Sequence, residues 1–167
     1  LLENTGAYHN KPFATNENGF RNNGKGTQLV FNDPLRIRLI KMLASWQKDN
    51  RFKYYGREIK SLSHFTNGEC AMHIASSAMA SFIKVAFDGK PFGTGLVPYF
   101  SDVIAKPKNS LLGGATLWVL KGKSKETYKG VAKFFAFLQR PDVQARWHQS
   151  TGFIPITTAA YELTKQQ

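Results

Sequence analysis

The sequence predicts an α/β fold in which helices outweigh a short central sheet. Apolar residues recur at helical spacing in segments that begin with capping residues and end in Asn or Gly. Two short, nearly continuous apolar runs, 70–75 and 111–120, have the composition of buried strands. Each run leads into a helical segment, and strands that alternate with helices are the mark of this class.

The first thirty residues are rich in Asn and Gly, including Asn16, Asn18, Gly19, Asn22, Asn23, Gly24 and Gly26, so they are expected to form a loop or hairpin with little regular structure. Asp33 before Pro34 is a helix-start signal. Leu35, Leu39, Ile40, Leu43 and Trp46 form the stripe of the helix that follows, which is expected to run to about Asn50. A shorter helix is expected around 59–66, stopped by Asn67 and Gly68. Cys70 to Ala75 then reads as a buried strand, Ser76 and Ser77 as a turn, and Met79, Phe82, Ile83 and Ala86 as the apolar positions of a helix. Leu96 and Val97 suggest another short strand, and 99–110 a polar loop. Leu111 to Leu120 reads as a second buried strand, entered through Gly113 and Gly114. Ser124 can cap a helix with Val131, Phe134, Phe135 and Leu138 on its inner face. Pro141 starts a helix that carries Val143 and Trp147 and is closed by Gly152, and a last helix is expected from about Thr158 through Leu163.

The length of 167 residues fits one domain with a real core, and the 42% apolar content argues against disorder. No apolar run approaches a membrane span. The chain opens on Leu1 rather than Met, which reads as a fragment or processed product, so the lack of a leader says nothing about export. A formal charge of +12 favours anionic partners. The charges are scattered: Arg36, Arg38, Lys41 and Lys48 share one helix, while Lys121, Lys123 and Lys125 line a turn. A solvated surface accounts for them better than a nucleic-acid stripe, which demands clustering on one face. The interleaved Arg51 to Arg57 segment is likewise read as surface after a helix end, with a basic nucleic-acid-binding domain kept as the reading from another class. Cys70 is the only cysteine, so it forms no disulfide within the chain and reads as a buried thiol, with pairing outside the chain left open.

Catalytic and cofactor signatures do not assemble. Gly122-Lys123-Ser124 resembles the end of a phosphate-binding loop, but Leu117 stands where the opening glycine belongs. Gly93-Thr94-Gly95 lacks the third glycine of a dinucleotide fingerprint. His9, His64, His73 and His148 show no zinc-binding spacing and read as surface or supporting residues. No paired carboxylates or serine elbow appear, so no catalytic residue, metal or cofactor is expected. Two features point to a small ligand. Ser76 and Ser77 stand where a strand hands over to a helix, so hydroxyls and free N–H groups face outward beyond the strand end. Gly113 and Gly114 let the backbone approach a solute closely. A plain helix cap and a plain bulge account for the same residues equally well.

The ordered set Phe65 to Met72, Ala75-Ser76-Ser77, Gly113 to Val119, Gly122 to Phe134, Trp147-His148-Gln149, Thr151-Gly152, Pro155-Ile156-Thr157 and Ala159-Ala160-Tyr161 resembles the extracellular solute-binding proteins of ABC importers, in their glycerol-3-phosphate-binding branch. The resemblance covers nearly the whole chain. It implies one lobe of a two-lobed periplasmic-binding-protein (type II) fold spanning 1–167, with the other lobe and a C-terminal segment outside the chain. It implies a protein of the periplasm, or a lipoprotein anchored outside the cytoplasm, whose partners are a small solute and the importer's membrane permease subunits, with no nucleic acid. The implied ligand is sn-glycerol-3-phosphate or a glycerophosphodiester, and a sugar or oligosaccharide is the alternative. The resemblance places Ser76, Gly113 and Gly114 at the ligand, and Phe153 where the family carries a tyrosine. Trp118 is assigned to packing.

Overall fold

The computed structural model describes residues 1–57 and 59–165, so positions 58, 166 and 167 of the expected single-lobe span lie outside the described residues. Two compact units are present: Leu1–Gly56 with Gly95–Ala115, and Arg57–Thr94 with Thr116–Gln167.

In the first unit, α1 (Leu2–Tyr8) packs against α3 (Pro34–Lys48). The start of α3 is the one expected: Pro34 occupies the first turn, and Asp33 Oδ1 accepts from the Arg36 N–H at 2.9 Å. Leu35 and Leu39 are buried on its inner face. Arg36 departs from the expectation of a solvated charge and is only 3% exposed. Its guanidinium pairs with Asp33 and donates to the carbonyls of Leu2 (3.3 Å), Pro12 (3.3 Å) and Lys11 (3.4 Å). A carboxylate and three carbonyls offset the loss of water around a buried cation. Gly6 makes room for that group, since a Cβ on it would lie 1.9 Å from Arg36 Nη2.

His9 is also buried rather than on the surface. Its Nε2 accepts from the Phe100 N–H at 2.8 Å, so Nδ1 is the atom that donates to the Thr5 carbonyl at 2.7 Å. The returning segment is tied down further where Lys108 N–H meets Tyr8 O at 2.9 Å and Leu111 N–H meets Asn4 Oδ1 at 2.9 Å. Between α1 and α3 the Asn-rich stretch forms a single antiparallel bridge, Ala14 to Leu29, around the one-turn α2 (Thr15–Asn18). Asn16, Glu17, Asn18, Asn22 and Asn23 there hold φ between 52 and 59°, a left-handed region that Asn tolerates better than most residues.

The second unit is organised around α7 (Pro141–Thr151), which touches α5 (Ala80–Ala86), α6 (Lys125–Leu138) and α8 (Thr158–Thr164). A short 3-10 turn, Ser77–Met79, enters α5, and α4 (Lys60–Thr66) packs against it. The expected caps form. Ser124 Oγ accepts from Thr127 N–H at 3.1 Å, and Gly152 closes α7 with φ 78°. Thr157 adds a cap the sequence did not announce, its Oγ1 accepting from Ala160 N–H at 3.3 Å. Phe65 meets Phe87 edge-on at 5.3 Å, and Phe87 stacks on Phe92 at 5.8 Å. These rings border a cleft of about 310 Å³ beside Cys70, which is half-buried rather than enclosed.

The expected sheet is not seen among the described residues. Among the described residues there is no strand, and 70–75, 96–97 and 111–120 are irregular. Met72 is 88% exposed and Trp118 86%, so Trp118 is not packed here. A strand is stable only when a neighbour satisfies its backbone and covers its side chains, and isolated pairs are marginal. These segments find no such neighbour among the described residues.

Candidate functional site

Four neutral residues were expected at the ligand: Ser76, Gly113, Gly114 and Phe153. A charged solute on them would be held by hydroxyl and backbone N–H donors rather than by an opposing side-chain charge.

Ser76 stands in extended conformation (φ −68°, ψ 147°) immediately before the 3-10 turn. Its Oγ accepts from the Ala78 N–H at 3.4 Å, which leaves the hydroxyl proton available for donation. Both Ser76 and Ser77 are exposed. The expected serine turn into a helix is therefore present, although the segment before it is not a paired strand.

Phe153 follows the left-handed Gly152 at the end of α7. Its N–H donates to Thr151 Oγ1 at 3.2 Å, and its carbonyl accepts from His148 Nδ1 at 2.7 Å. Phe153 is 45% exposed. Just beyond it, Gln144 holds the rest of the loop. Gln144 Oε1 accepts from the Ile156 N–H at 3.2 Å and the Thr157 hydroxyl at 3.3 Å, while its Nε2 donates to Gln139 O at 3.0 Å. Gln144 is buried, so each of its polar atoms needs the partner it has.

Ser76 and Phe153 are brought into one neighbourhood, because Gly152 lies directly against Ser77: a Cβ on Gly152 would sit 2.2 Å from the Ser77 carbonyl oxygen. Gly113 and Gly114 belong to the first unit. Both are exposed, and no atom lies within 4 Å of where a Cβ would stand on either. The backbone there is open to close approach, and no protein group fills the space.

Of the residues that arrange the loop, the sequence does not single out Gln144. Gln144 carries no motif, and its role appears only once α7 and the Ile156–Thr157 turn are side by side. His148 had been read as a surface or supporting residue, and its bond to Phe153 O gives that reading a definite atom. Charged groups with altered acidity stand elsewhere. The Arg140 side chain hydrogen-bonds Asp142 and lowers its pKa, while Glu162 raises that of Lys165. Among the described residues no group of three His, Cys, Asp or Glu side chains could hold a metal, and no helix is long and apolar enough to cross a membrane.

Comparison with known proteins agrees with the resemblance read from the sequence. The profile of a family described as bacterial extracellular solute-binding protein matches residues 6–167. An sn-glycerol-3-phosphate-binding periplasmic protein of Yersinia pseudotuberculosis is 48% identical over 166 residues, which cover 99% of this chain and 37% of the relative. Proteins of the same name from Yersinia enterocolitica and Salmonella typhimurium are each 46% identical over the same shares. The chain thus spans 37% of the length of these relatives. With a profile match over nearly all its residues and this level of identity throughout, the chain belongs to the bacterial extracellular solute-binding protein family.

Proposed function

We propose that the chain is one lobe of the substrate-binding component of an ABC importer, and that the complete protein holds sn-glycerol-3-phosphate or a glycerophosphodiester in the cleft between two lobes. It works in the periplasm, delivers its solute to membrane permease subunits and performs no chemistry on it. The observation that carries this reading is the 48% identity across 99% of the chain to a periplasmic protein named for binding sn-glycerol-3-phosphate. The exposed Ser76 hydroxyl beside the Phe153 loop, and the open backbone at Gly113 and Gly114, supply neutral donors of the kind that recognise phosphate and hydroxyl oxygens. The lobe's missing sheet partners and the other wall of the cleft would come from the rest of the protein.

Phe153 refines the ligand. A phenylalanine keeps the aromatic wall but removes a phenolic donor, which favours a phosphate with one less exposed oxygen to satisfy, as in a glycerophosphodiester. Calorimetric titration of the full-length protein with sn-glycerol-3-phosphate, glycerophosphocholine and maltose tests the reading. Saturable binding of either phosphorylated glycerol supports it. A response to maltose alone would move the protein to the sugar binders.

A further inference from the structure

We infer that Gly152 is a positioning residue for the proposed solute site, seating the Phe153 loop on the Ser76–Ser77 turn through bare backbone contact. The inference rests on the proposed reading of Ser76 and Phe153 as solute contacts and adds what fixes them relative to each other.

Two requirements meet at Gly152. It ends α7 in the left-handed region, with φ 78°, and its N–H donates to His148 O at 2.8 Å. A glycine at this position is common for helix termination alone. The second requirement is not part of termination. A Cβ would meet the Ser77 carbonyl oxygen at 2.2 Å, the Ser77 carbonyl carbon at 3.0 Å and Ala80 Cβ at 3.3 Å. The first two obstacles are backbone, so no side-chain rotation relieves them. The serine turn or the loop must move.

Neither partner is free to shift by itself. The loop is fixed to α7 by His148 Nδ1 on Phe153 O and by the buried Gln144, which takes the Ile156 N–H and the Thr157 hydroxyl. The serine turn opens α5, whose Ile83 is buried in the unit. Displacement between them would change the separation of the Ser76 hydroxyl from the Phe153 ring. Polar recognition depends on donors held within about half an ångström of their productive positions, so such a shift is felt in affinity before it is felt in folding.

Gly68 provides the matched comparison. It also follows a helix with positive φ, 82°, but nothing lies within 4 Å of its Cβ position. Gly152→Ala and Gly68→Ala therefore incur similar left-handed strain, and only the first pushes on Ser77. The experiment titrates the full-length wild type and both variants with sn-glycerol-3-phosphate and glycerophosphocholine, and records their thermal melts. Both variants should melt lower, while Gly152→Ala should bind about tenfold more weakly and Gly68→Ala should bind as the wild type does. If Gly152→Ala does not fold, His148→Ala decides. It frees the Phe153 carbonyl at an exposed position, and should weaken binding by about threefold with little change in melting. Wild-type affinity in a folded Gly152→Ala, or in His148→Ala if the glycine variant does not fold, would overturn the inference. A wild-type protein that binds neither phosphorylated glycerol would instead overturn the function on which it rests.

Discussion

Phe153 is the residue at which ligand identity is most open to measurement. Its main chain is held at both ends, so exchanging the ring alters chemistry with little change of place. In the full-length protein, Phe153→Tyr should raise affinity for sn-glycerol-3-phosphate by about tenfold, the gain from one hydrogen bond to a charged oxygen. Calorimetry reads this directly, and unchanged affinity would place the ring away from the phosphate. A second single-residue prediction concerns Asp102. Arg38 reaches its carboxylate at 2.6 Å while lying over the Phe100 ring at 4.1 Å, and this hydrogen bond lowers the Asp102 pKa. A carboxyl whose folded-state pKa is depressed stabilises the fold above its unfolded value, and the contribution is lost as pH falls through the folded value. Arg38→Met should move the Asp102 carboxyl titration upward in an NMR experiment, toward the ordinary aspartate value. Single residues were legible in the sequence when their role was local. Asp33, Ser124 and Gly152 were read correctly as caps because a cap is defined within four positions. The burial of Arg36 was not legible, and of the two readings of His9 only the supporting one holds, since both depend on backbone groups far along the chain.

At the scale of elements, α3 shows how one start signal does two things. Asp33 caps the helix through Oδ1 and neutralises the buried Arg36 through Oδ2. The functions separate by substitution. Asp33→Asn keeps an acceptor for the Arg36 N–H but leaves the guanidinium without a counter-charge, whereas Asp33→Ala removes both. Denaturant melts should show Asp33→Ala less stable than Asp33→Asn by about 1 kcal/mol, the worth of a cap. Equal losses would mean that the charge pair alone matters. For α6, Ser124→Ala should cost about 1 kcal/mol for the same reason, with the solute site undisturbed. α3 and α6 were legible because apolar spacing and a side-chain cap coincide in each, and α7 because Pro141 opens it and Gly152 closes it. α1 was not, because it lies in the Asn- and Gly-rich first thirty residues that read as loop, and its own Gly6 is there for the guanidinium beside it. The runs 70–75 and 111–120 have strand composition, but composition does not supply a neighbour, and pairing is the non-local part of a strand. The serine turn and the Phe153 loop were each legible alone. Their contact through Gly152 was not, because no local pattern links positions so far apart.

For the whole molecule, surface tells the most. The accessible area is 13630 Å² for a chain of 18.8 kDa. Two separate compact bodies of half that mass would expose about 10,000 Å² together. The chain exceeds that figure, and Met72, Leu112, Leu117, Trp118 and Leu120 contribute to the excess. No large side chain is completely buried among the described residues. Exposed apolar surface of this extent is of the kind that another surface covers, and the chain spans 37% of the length of its relatives. The isolated chain should accordingly bind an apolar-surface dye and associate in solution, while the full-length protein should do neither. Calorimetric titration of the full-length protein with sn-glycerol-3-phosphate and glycerophosphocholine, beside maltose, decides whether it binds a phosphorylated glycerol. Saturable one-to-one binding of a phosphorylated glycerol, with no heat from maltose, is the predicted result. Silence toward both phosphorylated glycerols would contradict it.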